Sequence, residues 1–275
     1  MASLSTLQTA ERPRAYVSVN GPDAGSYLNR MVSNEVEDLP VGDAREALLL
    51  TAKARIIAPL VVWRRGADDY LLLTEPEAGD RLVRELVRFR FAAKCAIERE
   101  DHRSLLVLGS ANDQLVTDGH KGVLPTRDYG VPAVELVDQE CPEGSGTIGV
   151  DELERLRILA RTPRLGRELD DRVMPAEAGL EERAISFTKG CYPGQEPVAR
   201  LHYRGRANRG LRVLALEGSE LPPYDAELVL DGKVVGRITS AAPDRERGVV
   251  ALAYVRREVP VDVELELGER RASQL

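Results

Sequence analysis

K-G-C-Y-P-G-Q-E, running from Lys189 to Glu196, crowds an amine, a thiol, a phenol, a carboxamide, a carboxylate and two glycines into eight residues. Apolar residues recur in it at neither helical nor strand spacing. A stretch with so little to bury reads as an ordered loop that presents its side chains. Gly190 and Gly194 then supply left-handed turns or close backbone approach. The flanking chain agrees: from Arg161 to Gly210 it is broken by Gly, Arg and Pro with little periodicity. That predicts a long ordered loop, or a loop interrupted by short helices, of the kind more often functional than idle.

Composition bounds what such a loop can serve. At 275 residues, 43% hydrophobic and 30% charged, the chain is long enough for one large globular domain or two ordinary ones. A net charge of -7 argues against a dedicated nucleic-acid binder. The longest apolar run, Ile56 to Trp63, is strand length, so no membrane span is expected. The first residues, M-A-S-L-S-T-L-Q-T-A-E-R-P, lack a basic start followed by an apolar core, so no secretory leader and a cytoplasmic location are expected. Cys95, Cys141 and Cys191 are odd in number and far apart, with no C-x-x-C and no zinc spacing. Three thiols are too few to hold an iron–sulfur cluster, so no metal bound by this chain alone is expected.

Along the chain, Ala15 to Val19 reads as a strand, followed by an N-G-P-D turn whose Asp23 caps a helix to Met31. Strands are predicted at Arg45–Thr51, Ile56–Trp63 and Tyr70–Thr74. A helix follows Pro76, with Leu82, Val83, Leu86 and Phe89 as its buried stripe. Cys95–Glu100, Ser104–Gly109 and Val131–Val137 read as strands, and Ser110 as the cap of a short helix. Glu140–Gly149 reads as a surface connection and Asp151–Ala160 as a helix. After Gly210 come five closely spaced β-rich runs: Leu211–Leu216, Ala226–Leu230, Lys233–Ser240, Gly248–Val255 and Val261–Leu265. They predict a small barrel or sandwich beginning near residue 207.

Lys189 to Glu196, with I-S-F-T before it and P-V-A-R after it, resembles the signature of the YgfZ family. These are folate-binding-fold proteins of iron–sulfur cluster maintenance, related to the glycine-cleavage T-protein, a tetrahydrofolate-using aminomethyltransferase. V-N-G-P-D-A-G-S-Y-L-N-R-M, P-R-L-G-R-E-L-D-D-R-V-M-P and G-K-V-V-G-R-I-T-S are similar to other stretches of that family. The resemblance implies an α+β fold: a T-protein-like folate-binding body over 1–206 and a small β-barrel over 207–275, in a ring around a central hole. It further implies tetrahydrofolate or a derivative as ligand, in a pocket floored by the signature loop. Iron–sulfur proteins or their assembly machinery are the implied partners, with an effect on tRNA modification.

Within the signature, Cys191 is the candidate reactive thiol, and Lys189, two residues away, the cation that would favour its thiolate. Read as structural, Cys191 is a small packed hydrophobe. The resemblance places Tyr192, Gln195, Glu196 and Arg200 at the ligand. Gln195 offers a donor and an acceptor and Glu196 an acceptor; equally, both can tie the loop to the body. Arg200, Arg204, Arg206, Arg209 and Arg212 read either as a solvated connector or as an anion site for a polyglutamate tail or a tRNA backbone. His202 reads as structural. Glu168 to Asp171 reads as a loop paired with Arg164, Arg167 and Arg172.

Two departures from the resemblance bear on activity. Ala58 and Pro59 stand where the T-protein's strand carries carboxylates, and neither can handle a proton. Leu159 stands where a carboxylate would read the pterin's N–H donors, and an unpaired buried donor costs about 1–3 kcal/mol. The readings in play are therefore a YgfZ-like folate-binding protein, a folate-dependent aminomethyl or one-carbon transferase, and a module binding tRNA or a protein partner. Ala58 and Pro59 speak against the second, and net acidity weakens direct RNA binding.

Overall fold

The computed structural model describes residues 7–110 and 121–275. The short helix expected after Ser110 lies outside them. Two five-stranded sheets and a closed barrel make up the rest. The first sheet has the order β10-β1-β7-β9-β8. Its strands are β1 (Gln8–Glu11), β7 (Ser104–Leu108), β8 (Val123–Thr126), β9 (Ala133–Val137) and β10 (Gly146–Thr147). The second has the order β3-β4-β5-β2-β6. It contains β2 (Ala15–Asn20), β3 (Ala44–Leu50), β4 (Ile56–Gly66), β5 (Asp69–Thr74) and β6 (Ala96–Glu100). Runs rich in Val, Ile and Leu form these strands because branched side chains pack well on a pleated surface.

Helices α1 (Ala24–Met31) and α2 (Gly79–Arg88) bury Tyr27, Leu28, Leu82 and Leu86 in one cluster with Val17, Val19, Val62 and Leu72 of the second sheet. Two expectations here need correcting. Asp23 makes no side-chain cap on α1; its carboxylate accepts the Lys94 N–H at 2.7 Å, tying the helix start to the strand beyond. Phe89 is not part of the buried stripe: it is the residue that ends α2, where the chain turns away, and it is 39% exposed.

The barrel closes in the order β11-β14-β13-β12-β15-β16. Its strands are β11 (Arg209–Leu216), β12 (Glu227–Leu230), β13 (Lys233–Asp244), β14 (Gly248–Arg256), β15 (Leu265–Leu267) and β16 (Arg270–Gln274). The fifth predicted run is mostly turn, and its strand begins only at Leu265. R-R-A-S-Q at β16, which carries no β-branched residue, closes the ring against β11. No helix among the described residues is long and apolar enough to cross a membrane.

Between α3 (Val150–Leu159) and the barrel lies the Arg161–Gly210 stretch, which contains a single turn of helix, α4 (Glu181–Ala184), and then α5 (Gln195–Arg204). Its apolar residues are not idle. Leu169, Val173, Leu180, Ile185, Tyr192 and Val198 pack into one cluster with Leu48 and Ile56 of the second sheet and with Leu211, Val250 and Leu252 of the barrel. Body and barrel are joined through this cluster.

Candidate functional site

The signature is half turn and half helix. Gly194 is left-handed, with φ +82°, and it immediately precedes α5. A Cβ there would stand 2.5 Å from the Thr51 carbonyl oxygen. Two independent reasons therefore require glycine. Gly190 differs from the expectation: its φ is not left-handed and a Cβ on it would meet nothing within 4 Å. Gln195, Glu196 and Arg200 belong to α5 rather than to a loop. Pro197 is tolerated because it lies in the first turn, where backbone N–H groups have no intrahelical partner.

Lys189 is engaged away from the thiol it was expected to assist. Its Nζ donates to the carbonyls of Asn29, Val32 and Asn34 at 2.6, 2.9 and 2.7 Å. All three ammonium protons are thus directed at the last turn of α1 and the chain that follows it. Burial pulls the ammonium down to about 8. The same Nζ lies 5.5 Å from the centroid of the Tyr192 ring, which is buried. The Tyr192 hydroxyl has no hydrogen-bond partner among the described residues, and burial, then the Glu181 charge, push it up to about 12. Cys191 is exposed.

Five of the six residues singled out from the sequence do meet. Cys191, Tyr192, Gln195, Glu196 and Arg200 line a surface hollow of about 470 Å³. This hollow is not the large cavity of the protein. None of residues 189–196 lines that larger cavity; Tyr192 packs in the apolar cluster shared by body and barrel, and Lys189 is bound to the carbonyls around the end of α1.

The large cavity, of about 1000 Å³, is walled by all three sheets. Residues 12–14, 59–61 and 75–77 come from the body's second sheet and its flanks, 124–129 from the first, 162–167 from the connecting stretch, and 221–224 and 238–241 from the barrel. Its polar wall is an alternating chain of charges. Arg14 grips Glu135 through two bonds of 3.0 and 2.8 Å; Arg12 bridges Glu135 and Asp128; Arg183 bridges Asp128 at 2.5 Å and Glu46 at 2.8 and 2.9 Å. Burial alone would raise the Glu135 carboxyl, but Arg12 and Arg14 hold it down at about 2. Asp128 is likewise held below the usual carboxylate range, against burial, by Arg12 and Arg183.

Glu75 is different. It follows β5, and its Oε2 accepts the Leu165 N–H at 2.7 Å. Continuing the ladder Val61↔Leu73 by two register steps and the ladder Ala15↔Thr74 by one places Pro59 on one side of Glu75 and Arg14 on the other. Burial pushes its carboxyl up to about 7. Nothing in T-E-P-E marked Glu75.

Of the departures noted from the sequence, Ala58 is fully buried in the α1–α2 core, whereas Pro59 reaches the cavity wall. Pro59 fits there because the β5 ladder begins only at Val61, so its missing N–H breaks no bond on that side. Leu159 is not on the cavity wall: it packs against the cluster that joins body and barrel. The arginine run is divided. Arg200, Arg204 and Arg206 are exposed on or just after α5. Arg209 pairs with Glu177 at 2.9 Å, and Arg212 donates to the Val259 carbonyl at 2.8 Å. The arginines that are both exposed and on the cavity wall are Arg164 and Arg167. In the acidic run, Glu168 is buried against Arg157 and Ser240, at 3.1 and 2.7 Å, and Asp170 pairs with Arg172.

Residues 14–118 match the family model of the GCVT N-terminal domain. The chain is 26% identical to the tRNA-modifying protein YgfZ of Serratia proteamaculans, over 95% of this chain and 88% of that one. It is also 26% identical to an aminomethyltransferase of Streptomyces avermitilis, over 87% of this chain and 75% of that one. Its fold superposes on the crystal structure of the glycine cleavage system aminomethyltransferase T from Bartonella henselae with a TM-score of 0.82 at 19% identity, covering 98% and 85% of the two chains.

Proposed function

From its similarity to YgfZ proteins and to aminomethyltransferases over most of its length, we propose that this chain is a folate-binding protein of the YgfZ family, relatives of the glycine-cleavage T-protein. We further propose that it assists iron–sulfur cluster assembly or repair and, through that, tRNA modification. The observation that carries the reading is the cavity of about 1000 Å³ shared by both sheets and the barrel. That volume is at the upper end of small-molecule sites. Its chemistry suits a reduced folate. Apolar wall at Leu60, Val61 and Leu165 suits a ring system, wall carboxylates suit ring N–H donors, and the exposed guanidinium groups of Arg164 and Arg167 suit a glutamate tail. In this reading the hollow at Cys191 is a second, outward-facing element, where the thiol meets a partner protein.

Aminomethyl transfer is not part of the proposal. Pro59 occupies the cavity wall where an acid would have to act, and a pyrrolidine ring moves no proton. The test is calorimetric titration of the purified protein with tetrahydrofolate and with its methylene form. Saturable binding at one site per chain is expected. No heat up to millimolar ligand overturns the reading. Turnover of an aminomethylated lipoyl carrier above the uncatalysed rate would restore the transferase.

A further inference from the structure

The cavity wall holds several carboxylates, but they are not equivalent. Glu46, Asp128, Glu135 and Glu154 are each paired with an arginine within 3.0 Å. A carboxylate gripped by a guanidinium fork has little capacity left for a ligand. Glu77 and Asp151 are exposed to solvent, where water competes for them. That leaves Glu75, half-buried, which forms no ion pair among the described residues. Among the described residues the one hydrogen bond to its carboxylate is that from the Leu165 N–H to Oε2, which leaves Oε1 open.

The neighbours enforce this. Arg14, beside Glu75 in the register, has its guanidinium turned to Glu135. On the other side Pro59 supplies only hydrocarbon, and the Thr74 hydroxyl donates to the Pro59 carbonyl at 2.6 Å. An acceptor left open at a cavity wall, in company with apolar residues, is free to take a ligand donor in place of water.

We propose that Glu75 is the residue by which this cavity reads the N–H donor edge of its ligand, the 2-amino-pyrimidinone face of a reduced pterin. The inference rests on the folate reading above. A carboxylate accepts two adjacent N–H groups of such a ring as it accepts a guanidinium fork. The acceptor is thus supplied from β5, at the strand neighbouring Pro59, rather than from β4 or from Leu159. Its titration supports the assignment: burial, helped by Glu77 in the following turn, outweighs the Leu165 N–H, Arg14 before β2 and Arg164 in the connecting stretch and sets the carboxyl at about 7.

The test compares wild type with Glu75→Gln, and with Glu77→Gln as control. Binding of 5-formyltetrahydrofolate and of a pterin lacking the benzoylglutamate tail is followed by calorimetry from pH 6 to 8.5. Gln keeps an acceptor for Leu165 but places a donor amide at the ligand, so affinity should fall by about ten- to a hundredfold. In wild type, affinity should rise with pH by roughly tenfold per unit below about 7 and level off above it, because only the carboxylate accepts both donors. In Glu75→Gln the profile should be flat, and Glu77→Gln should follow wild type. If the folate binds and Glu75→Gln matches wild type in affinity and pH profile, Glu75 is overturned and the folate reading stands. If the folate does not bind but the bare pterin does, in a Glu75-dependent way, the folate reading fails and Glu75 stands. If neither binds, both are overturned.

Discussion

The ammonium of Lys189 lies 2.7 Å from the carbonyl oxygen of Asn34, with two further carbonyls of the same turn within 2.9 Å. Lys189 therefore holds the last turn of α1 and the chain after it in place. Lys189→Met should leave three carbonyls without their donor and destabilise the protein by about 2–4 kcal/mol in urea melts. The alkylation rate of Cys191 in the native state should change little. A slower thiol at unchanged stability would return Lys189 to the thiol.

Gly194 and Gly190 should behave oppositely despite sharing one signature. Gly194→Ala forces a Cβ against the Thr51 carbonyl from a left-handed backbone, and a loss of about 2 kcal/mol or more is expected. Gly190→Ala should stay within about 0.5 kcal/mol. Thermal melts of the two variants decide it.

Thiol accessibility should divide the cysteines two against one. Cys191 and Cys141 are exposed, while Cys95 is buried and burial raises its thiol further. A colorimetric thiol titration of the native protein should count two groups, the third appearing only in denaturant. Cys191→Ser should shift stability by no more than about 0.5 kcal/mol.

Arg12 stands between Glu135 and Asp128, and its removal leaves both carboxylates short of a cation. Arg12→Leu should cost about 3–5 kcal/mol, the range for breaking a buried ion network. Arg103→Leu, whose partner Glu11 is exposed, should cost less than about 1 kcal/mol.

Glu75 should also make stability depend on pH. Its carboxyl titrates near 4.5 when unfolded and at about 7 when folded. Between those values the folded state binds more protons than the unfolded one, so this group's contribution falls as pH rises, and levels off above about 7. Glu75→Gln removes that slope. The variant should gain on wild type by on the order of 2 kcal/mol between pH 4.5 and 7.5, read from urea melts at each pH.

The strands were legible because their residues carry their own signal: I-I-A-P-L-V-V-W and G-V-V-A-L-A-Y-V read as β wherever they stand. β16 was not, since R-R-A-S-Q becomes a strand only by closing a ring. Helix α5 was hidden by Gly194 and Pro197, which punctuate its start although both suit a first turn. The dense chemistry of the signature marked it as a pocket lining, and Cys191, Tyr192, Gln195, Glu196 and Arg200 do line a hollow, but that Lys189 is bound to the carbonyls around the end of α1 was not legible. Glu75 was the least legible. Its significance lies in two strand registers and in where four other carboxylates find their arginines, none of which a linear reading contains.

The cavity belongs to no single sheet. Its walls come from two separately hydrogen-bonded sheets, the connecting stretch and the barrel, so no isolated segment possesses it. Whatever fills it touches all of these at once and acts as a rivet between them. Its affinity should therefore be felt far from the cavity, as slower amide exchange in β11 and β14 and as protection of the Arg161–Gly210 stretch from proteases. The presence of ligand inside would then be legible from outside, in how firmly the stretch carrying Cys191 is held.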